Sequence, residues 1–167
     1  MSVLRRARRS ITVAGLIFAA GAPGATAEGA PAHLWATVNV CDTSAHPDAI
    51  GVRGSMPGSR ASERLFMRLR VQYLDAATNR WRYVGARADS GFVTVGSGRA
   101  KRRQGGRTFT VRPSASGSGY VLRGIVDFQW RKGAKVLRRA QRRTRAGHPG
   151  TPGADPSSFS AETCRVS

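Results

Sequence analysis

The sequence predicts an all-β fold: an antiparallel sandwich of about seven or eight strands, in one domain, behind an N-terminal signal segment. Three observations predict it. Apolar residues recur with period two in several segments, the mark of strands with one buried face. Clusters of Gly, Pro, Asn, Asp and Ser return roughly every ten residues, as turns between short strands do. No long stretch carries helical spacing, so the strands must bury their apolar faces against one another.

The elements follow in order. Residues 1–27 combine Arg5, Arg6, Arg8 and Arg9 with an apolar run from Ile11 to Ala20, then the small-residue triplet Ala25-Thr26-Ala27. That order is a secretory signal, with cleavage expected between Ala27 and Glu28. The apolar run is half the roughly 20 residues a bilayer-spanning helix needs, and no second such run follows. The expected compartment is therefore extracellular, or periplasmic in a host with an outer membrane, with no integral membrane span after cleavage. Residues 28–33 read as a flexible lead-in and 34–167 as the domain.

Leu34, Ala36, Val38 and Val40 alternate with polar neighbours and predict the first strand. Residues 49–52 are a shorter, weaker strand, and 54–62 read as loop. Leu65, Met67, Leu69, Val71 and Tyr73 alternate with Arg64, Phe66, Arg68, Arg70 and Gln72, giving a half-buried strand with an arginine-bearing outer side. Residues 81–84 return from a turn, 92–95 form another short strand, 96–106 a basic loop, and 108–112 a strand ended by Pro113. Leu122, Gly124, Val126, Phe128 and Trp130 define the strongest strand. Residues 134–145 fit a return strand across a tight turn, or a basic helix through Val136, Leu137 and Ala140; the turn favours the strand. Residues 146–158 read as a Gly/Pro linker, with a single helical turn after Pro156.

Cys41 and Cys164 are the two cysteines, near the two ends of the mature chain. In an oxidising compartment such a pair is expected to be a disulfide. Their spacing excludes a CxxC redox or zinc motif.

The charge is unusual. Lys and Arg number 28 against 9 acids, a net of +19; without the four leader arginines the balance is 24 against 9, or +15. Such a charge favours polyanionic partners and says nothing about fold. Two segments are densest. One holds Arg99, Lys101, Arg102, Arg103 and Arg107; the other holds Arg138, Arg139, Arg142 and Arg143. On one face they would form a patch for phosphate, sulfate or carboxylate polymers, which the bidentate guanidinium suits. Aromatic residues, expected of a single-strand nucleic-acid binder, are absent from both.

RLFMRLRVQYLDAATNRWRYV and TFTVRPSASGSGYVLRGIVDFQWRKGAKV resemble the central and final strands of immunoglobulin-like and fibronectin type III sandwiches. Tyr120 stands where their tyrosine corner sits. The whole is also similar to small secreted β-sandwich proteins of actinobacteria. The resemblance implies an immunoglobulin-like sandwich and brings no activity with it. One departure is that Cys164 follows every expected strand, whereas the immunoglobulin pair links two facing strands.

No catalytic constellation is expected: there is no G-x-S-x-G elbow, P-loop, G-x-G-x-x-G or H-E-x-x-H. Asp42, His46 and Asp48 could offer a cation ligands, but the cluster is short of a metal's ligand count and reads as a polar turn. No metal or cofactor is expected. The expected function is an exported, non-catalytic binding or adhesion module whose basic surface meets anionic cell-wall or extracellular polymer. A secreted hydrolase on a β scaffold, and a general polyanion or nucleic-acid binder, are the alternatives.

Overall fold

Residues 33–112 and 119–167 are described by the structure, a computed structural model. The signal 1–27, its cleavage site at Ala27 and Glu28, the lead-in up to residue 32 and the 113–118 turn lie outside the described residues. Among the described residues nine strands form two antiparallel sheets, one or two more strands than the sequence predicts. The three-stranded sheet runs β1 (Trp35–Thr43), β2 (His46–Pro57), then β6 (Arg102–Thr110). The six-stranded sheet is centred on β3 (Arg64–Asp75) and β7 (Tyr120–Lys132). β4 (Arg80–Tyr83) and β5 (Val93–Ser97) share the free side of β3, while β8 (Lys135–Arg143) and β9 (Cys164–Val166) share the far side of β7.

The period-two apolar residues fill the space between the sheets. Leu65, Met67, Leu69 and Val71 of β3 meet Leu122, Val126, Phe128 and Trp130 of β7, and all are buried. Val38, Ile50, Val52 and Met56 close the core from the smaller sheet. Gly54, Gly105 and Gly124 hold inward positions where the sheets approach closely. A Cβ on Gly124 would lie 2.5 Å from a Val52 methyl, and one on Gly54 would lie 3.0 Å from a Val126 methyl.

Three expectations are corrected. Residues 54–57 are strand, the second half of β2, since Gly54 at an inward position erases the apolar alternation that would have marked them. Residues 102–106 belong to β6 rather than to a loop. The inward positions of that strand are Arg103, Gly105, Arg107 and Phe109, only one of them apolar. No helical turn follows Pro156; a turn with a cis Asp155–Pro156 bond leads on to β9. Residues 135–143 are a strand, β8, as the tight turn at Gly133 favours.

The Gly/Pro-rich segment 146–158 lies along the free edge of β1. The Arg145 N–H donates to the Ala36 carbonyl at 2.8 Å, and the Asp155 N–H to the Asn39 carbonyl at 2.9 Å. Val38 and Ala161 exchange two bonds of 3.0 Å. This strap occupies the backbone groups that an open edge strand would otherwise offer to another chain. Its side chains curl over the outer face of the small sheet. The Thr37 hydroxyl meets that of Ser160 at 2.7 Å, and the His148 ring stacks on Trp35 with centroids 4.4 Å apart.

Candidate functional site

The disulfide joins Cys41 of β1 to Cys164 of β9, with Cα atoms 5.3 Å apart. Cys164 opens β9, the last strand, so the bond ties β1 of the three-stranded sheet to β9 of the six-stranded one.

The two basic segments lie on opposite edges of the sandwich and do not form one patch. Arg99 and Lys101 sit in the turn before β6, and Arg102, Arg103 and Arg107 lie on β6, which packs over β3 and β5. Arg138, Arg139, Arg142 and Arg143 lie on β8, beside β1. Alternation splits each segment again. Arg139 and Arg143 face outward opposite Gln129 and Ile125, whereas Arg138 turns to the other side and lies over the Trp130 ring at 4.4 Å. The segments approach each other at one pole, across the 58–63 loop. There the Gly58 N–H donates to the Lys101 carbonyl, and Ser59, Arg60 and Glu63 share a cleft with Leu137 and Arg138.

A different set of arginines converges: the outward residues of β3, β4, β7 and β8. Each strand sends alternate side chains to the outer face of the six-stranded sheet, so residues distant in sequence become neighbours. Arg64 pairs across from Arg131, Arg68 from Asp127, and Gln72 from Arg123. Aromatic rings lie between them. The Arg123 guanidinium sits 4.1 Å from the Trp81 ring centroid and that of Arg70 sits 4.4 Å from Tyr83. Arg131 reaches both Phe66, at 4.2 Å, and Phe92, at 5.0 Å. Each such contact is worth roughly 0.5–1 kcal/mol at an exposed site, and it also holds the guanidinium in one place.

Charge on this face is only partly compensated. Asp89 takes Arg68 through both carboxylate oxygens, and Asp127 takes Arg70 at 2.7 Å. The Arg68 hydrogen bond holds the Asp89 carboxyl below its usual range and raises the guanidinium in turn. Burial, and then repulsion from Arg143, lowers Arg123. Arg64, Arg123, Arg131 and Arg139 have no carboxylate within 4 Å among the described residues. Between Arg68, Arg70, Asp127 and Arg139 runs a shallow groove of about 490 Å³, with Phe92 at its side. The balance is general to the molecule. The described residues hold 24 Lys and Arg against 8 acids; four of these cations have a carboxylate partner and 20 have none. Sequence runs of basic residues did not point to this face. The signal was present in the alternation of Arg64, Arg68 and Arg70 with apolar residues, and of Arg123 and Arg131 likewise.

The polar cluster at the first hairpin turns to separate partners. Asp42 accepts the Asp48 N–H at 2.8 Å, closing the turn, while the His46 Nδ1 meets Asp155 of the strap at 3.1 Å. Thr43 donates to the same Asp155 oxygen, and Thr43 and His46 together hold that carboxyl below its usual range. No helix among the described residues is long and apolar enough to cross a membrane.

Compared with known proteins, the chain matches no family model, and no curated protein matches it either.

Proposed function

We propose that this chain is an exported, non-catalytic binding module, an immunoglobulin-like sandwich whose six-stranded outer face holds anionic cell-wall or extracellular polymer. The observation that carries the reading is that Arg123 and Arg131 are fixed over aromatic rings on this face and have no carboxylate partner among the described residues. Such groups offer paired N–H donors to carboxylate, sulfate or phosphate. Because the rings already restrict the side chains, little rotamer freedom remains to be lost on binding. A sheet face with repeated cations along an open groove suits a repeating polymer better than a single small molecule. The disulfide and the leader motif support export, and the tethered termini suit a chain that works outside the cell.

The test is titration of the exported protein with polygalacturonate at rising sodium chloride. The reading expects binding at low salt whose logarithm falls linearly with the logarithm of salt, as counterions are released. Absence of binding at low salt, or affinity indifferent to salt, would contradict it. Double-stranded DNA as competitor separates a polysaccharide partner from general polyanion binding, since only the latter expects DNA to displace the polymer at equal charge.

A further inference from the structure

The outer face of the three-stranded sheet carries a second polar cluster, independent of the arginine face. Arg53 and Ser55 project from it at alternate positions of β2, and Gln104 of β6 lies directly across from Ser55. Opposite Arg53 is Gly106, whose missing side chain lets the guanidinium lie over β6; a Cβ there would sit 3.2 Å from the Arg53 Nε. The strap closes over the other side, and a Cβ on Gly153 would be 3.8 Å from an Arg53 Nη. Thr151 stands two residues before Gly153.

These side chains are unpartnered. Arg53 Nε, Ser55 Oγ, Gln104 Oε1 and Thr151 Oγ1 are all buried without a hydrogen-bond partner among the described residues. Ser55 is fully buried and Thr151 is 7% exposed. Among the described residues no carboxylate lies within ion-pair distance of Arg53, and burial depresses its pKa. Buried polar atoms are nearly always satisfied, and one left alone costs about 1–3 kcal/mol. Arg53, Ser55 and Gln104 are neighbours in register on β2 and β6, and Thr151 belongs to the strap that reaches Arg53 at Gly153; an uncompensated guanidinium beside two orphaned polar atoms marks a place that suits a ligand better than it serves stability.

We propose that Arg53, Ser55, Gln104 and Thr151 form a binding site for a single carboxylate carrying a neighbouring hydroxyl, the chemistry of a uronate or a small hydroxy acid. The guanidinium edge matches the two carboxylate oxygens. The Ser55 and Thr151 hydroxyls add donors, and the Gln104 oxygen accepts the ligand's hydroxyl. Entry is from the β6 side, where Gly106, across from Arg53, is exposed, while the strap covers the β1 side.

Calorimetric titration of the disulfide-intact protein tests the site, with glucuronate, glucose and sulfate as probes at about 0.15 M salt, where exposed charges are largely screened. Glucuronate is expected to bind saturably at one site and glucose, which lacks the carboxylate, not to bind. Arg53→Met is expected to weaken glucuronate at least roughly tenfold, and Ser55→Ala several-fold, as loss of hydrogen bonds to a charged group does. The Arg53→Met protein should unfold at the same denaturant concentration as the wild type or a higher one, because a desolvated charge has been removed. A structural arginine would show the opposite. Lys135→Gln, at the β7–β8 hairpin of the other sheet, should leave glucuronate binding unchanged. No glucuronate binding, binding undiminished by both variants, or sulfate binding equal to glucuronate overturns the proposal.

Discussion

Gly124 has no room for a side chain, and the consequence is measurable. A methyl there would sit 2.5 Å from Val52 and 2.7 Å from Thr144, both held in packed strands. Gly124→Ala should therefore cost about 1–3 kcal/mol in chemical denaturation, the usual penalty of overpacking. Wild-type stability would show that the sheets can separate locally. Asp89 supplies a second residue-scale prediction. Its folded pKa lies below the unfolded value, so its contribution to stability is complete above the unfolded pKa of about 3.9 and is lost as the pH falls through the folded value. Asp89→Asn should flatten the acid limb of the stability-against-pH curve while leaving neutral and alkaline slopes alone. An unchanged acid limb would mean that Arg68 does not discriminate between the two protonation states.

At the scale of elements, the C-terminal strap and β9 depend on the disulfide. Cys41 and Cys164 are 123 residues apart, and closing a loop of that length restrains the unfolded chain by roughly 4–5 kcal/mol in the entropic account. Replacing both cysteines by alanine should lower the denaturation midpoint accordingly. It should also raise amide exchange first in 146–166, ahead of the β3–β7 pair. Uniform loss of protection would mean that the strap is held by its backbone bonds to β1 instead. The elements differed in how plainly they could be read. β3 and β7 were legible because Leu65, Met67, Leu69 and Val71 fill the inward positions of one, and Leu122, Val126, Phe128 and Trp130 those of the other, with Gly124 as the single interruption. β6 was illegible because arginine and glycine occupy three of its four inward positions near Phe109, so an edge strand looked like a basic loop. The strap looked like a linker since its hydrogen bonds run to the β1 backbone, and backbone pairing leaves no side-chain pattern in sequence.

Across the whole molecule, charge and topology act together. The sandwich could be foreseen from alternation and turns, and the disulfide from cysteine count and compartment. The arginine face could not be read from basic runs, because antiparallel pairing assembles it from single outward residues of four strands. The same pairing sends the two richest runs, at β6 and β8, to opposite edges. The most direct measurement of the central claim compares two triple variants in polygalacturonate binding. One is Arg64→Gln, Arg131→Gln and Arg139→Gln on the outer face; the other is Arg102→Gln, Arg103→Gln and Arg107→Gln on β6. Both remove three charges, so they change the net field equally. The account predicts that the face variant loses about tenfold or more in affinity and about three in the salt slope, while the β6 variant stays within a few-fold of wild type. Equal losses from the two variants would contradict it, since binding would then follow net charge and no face would be special.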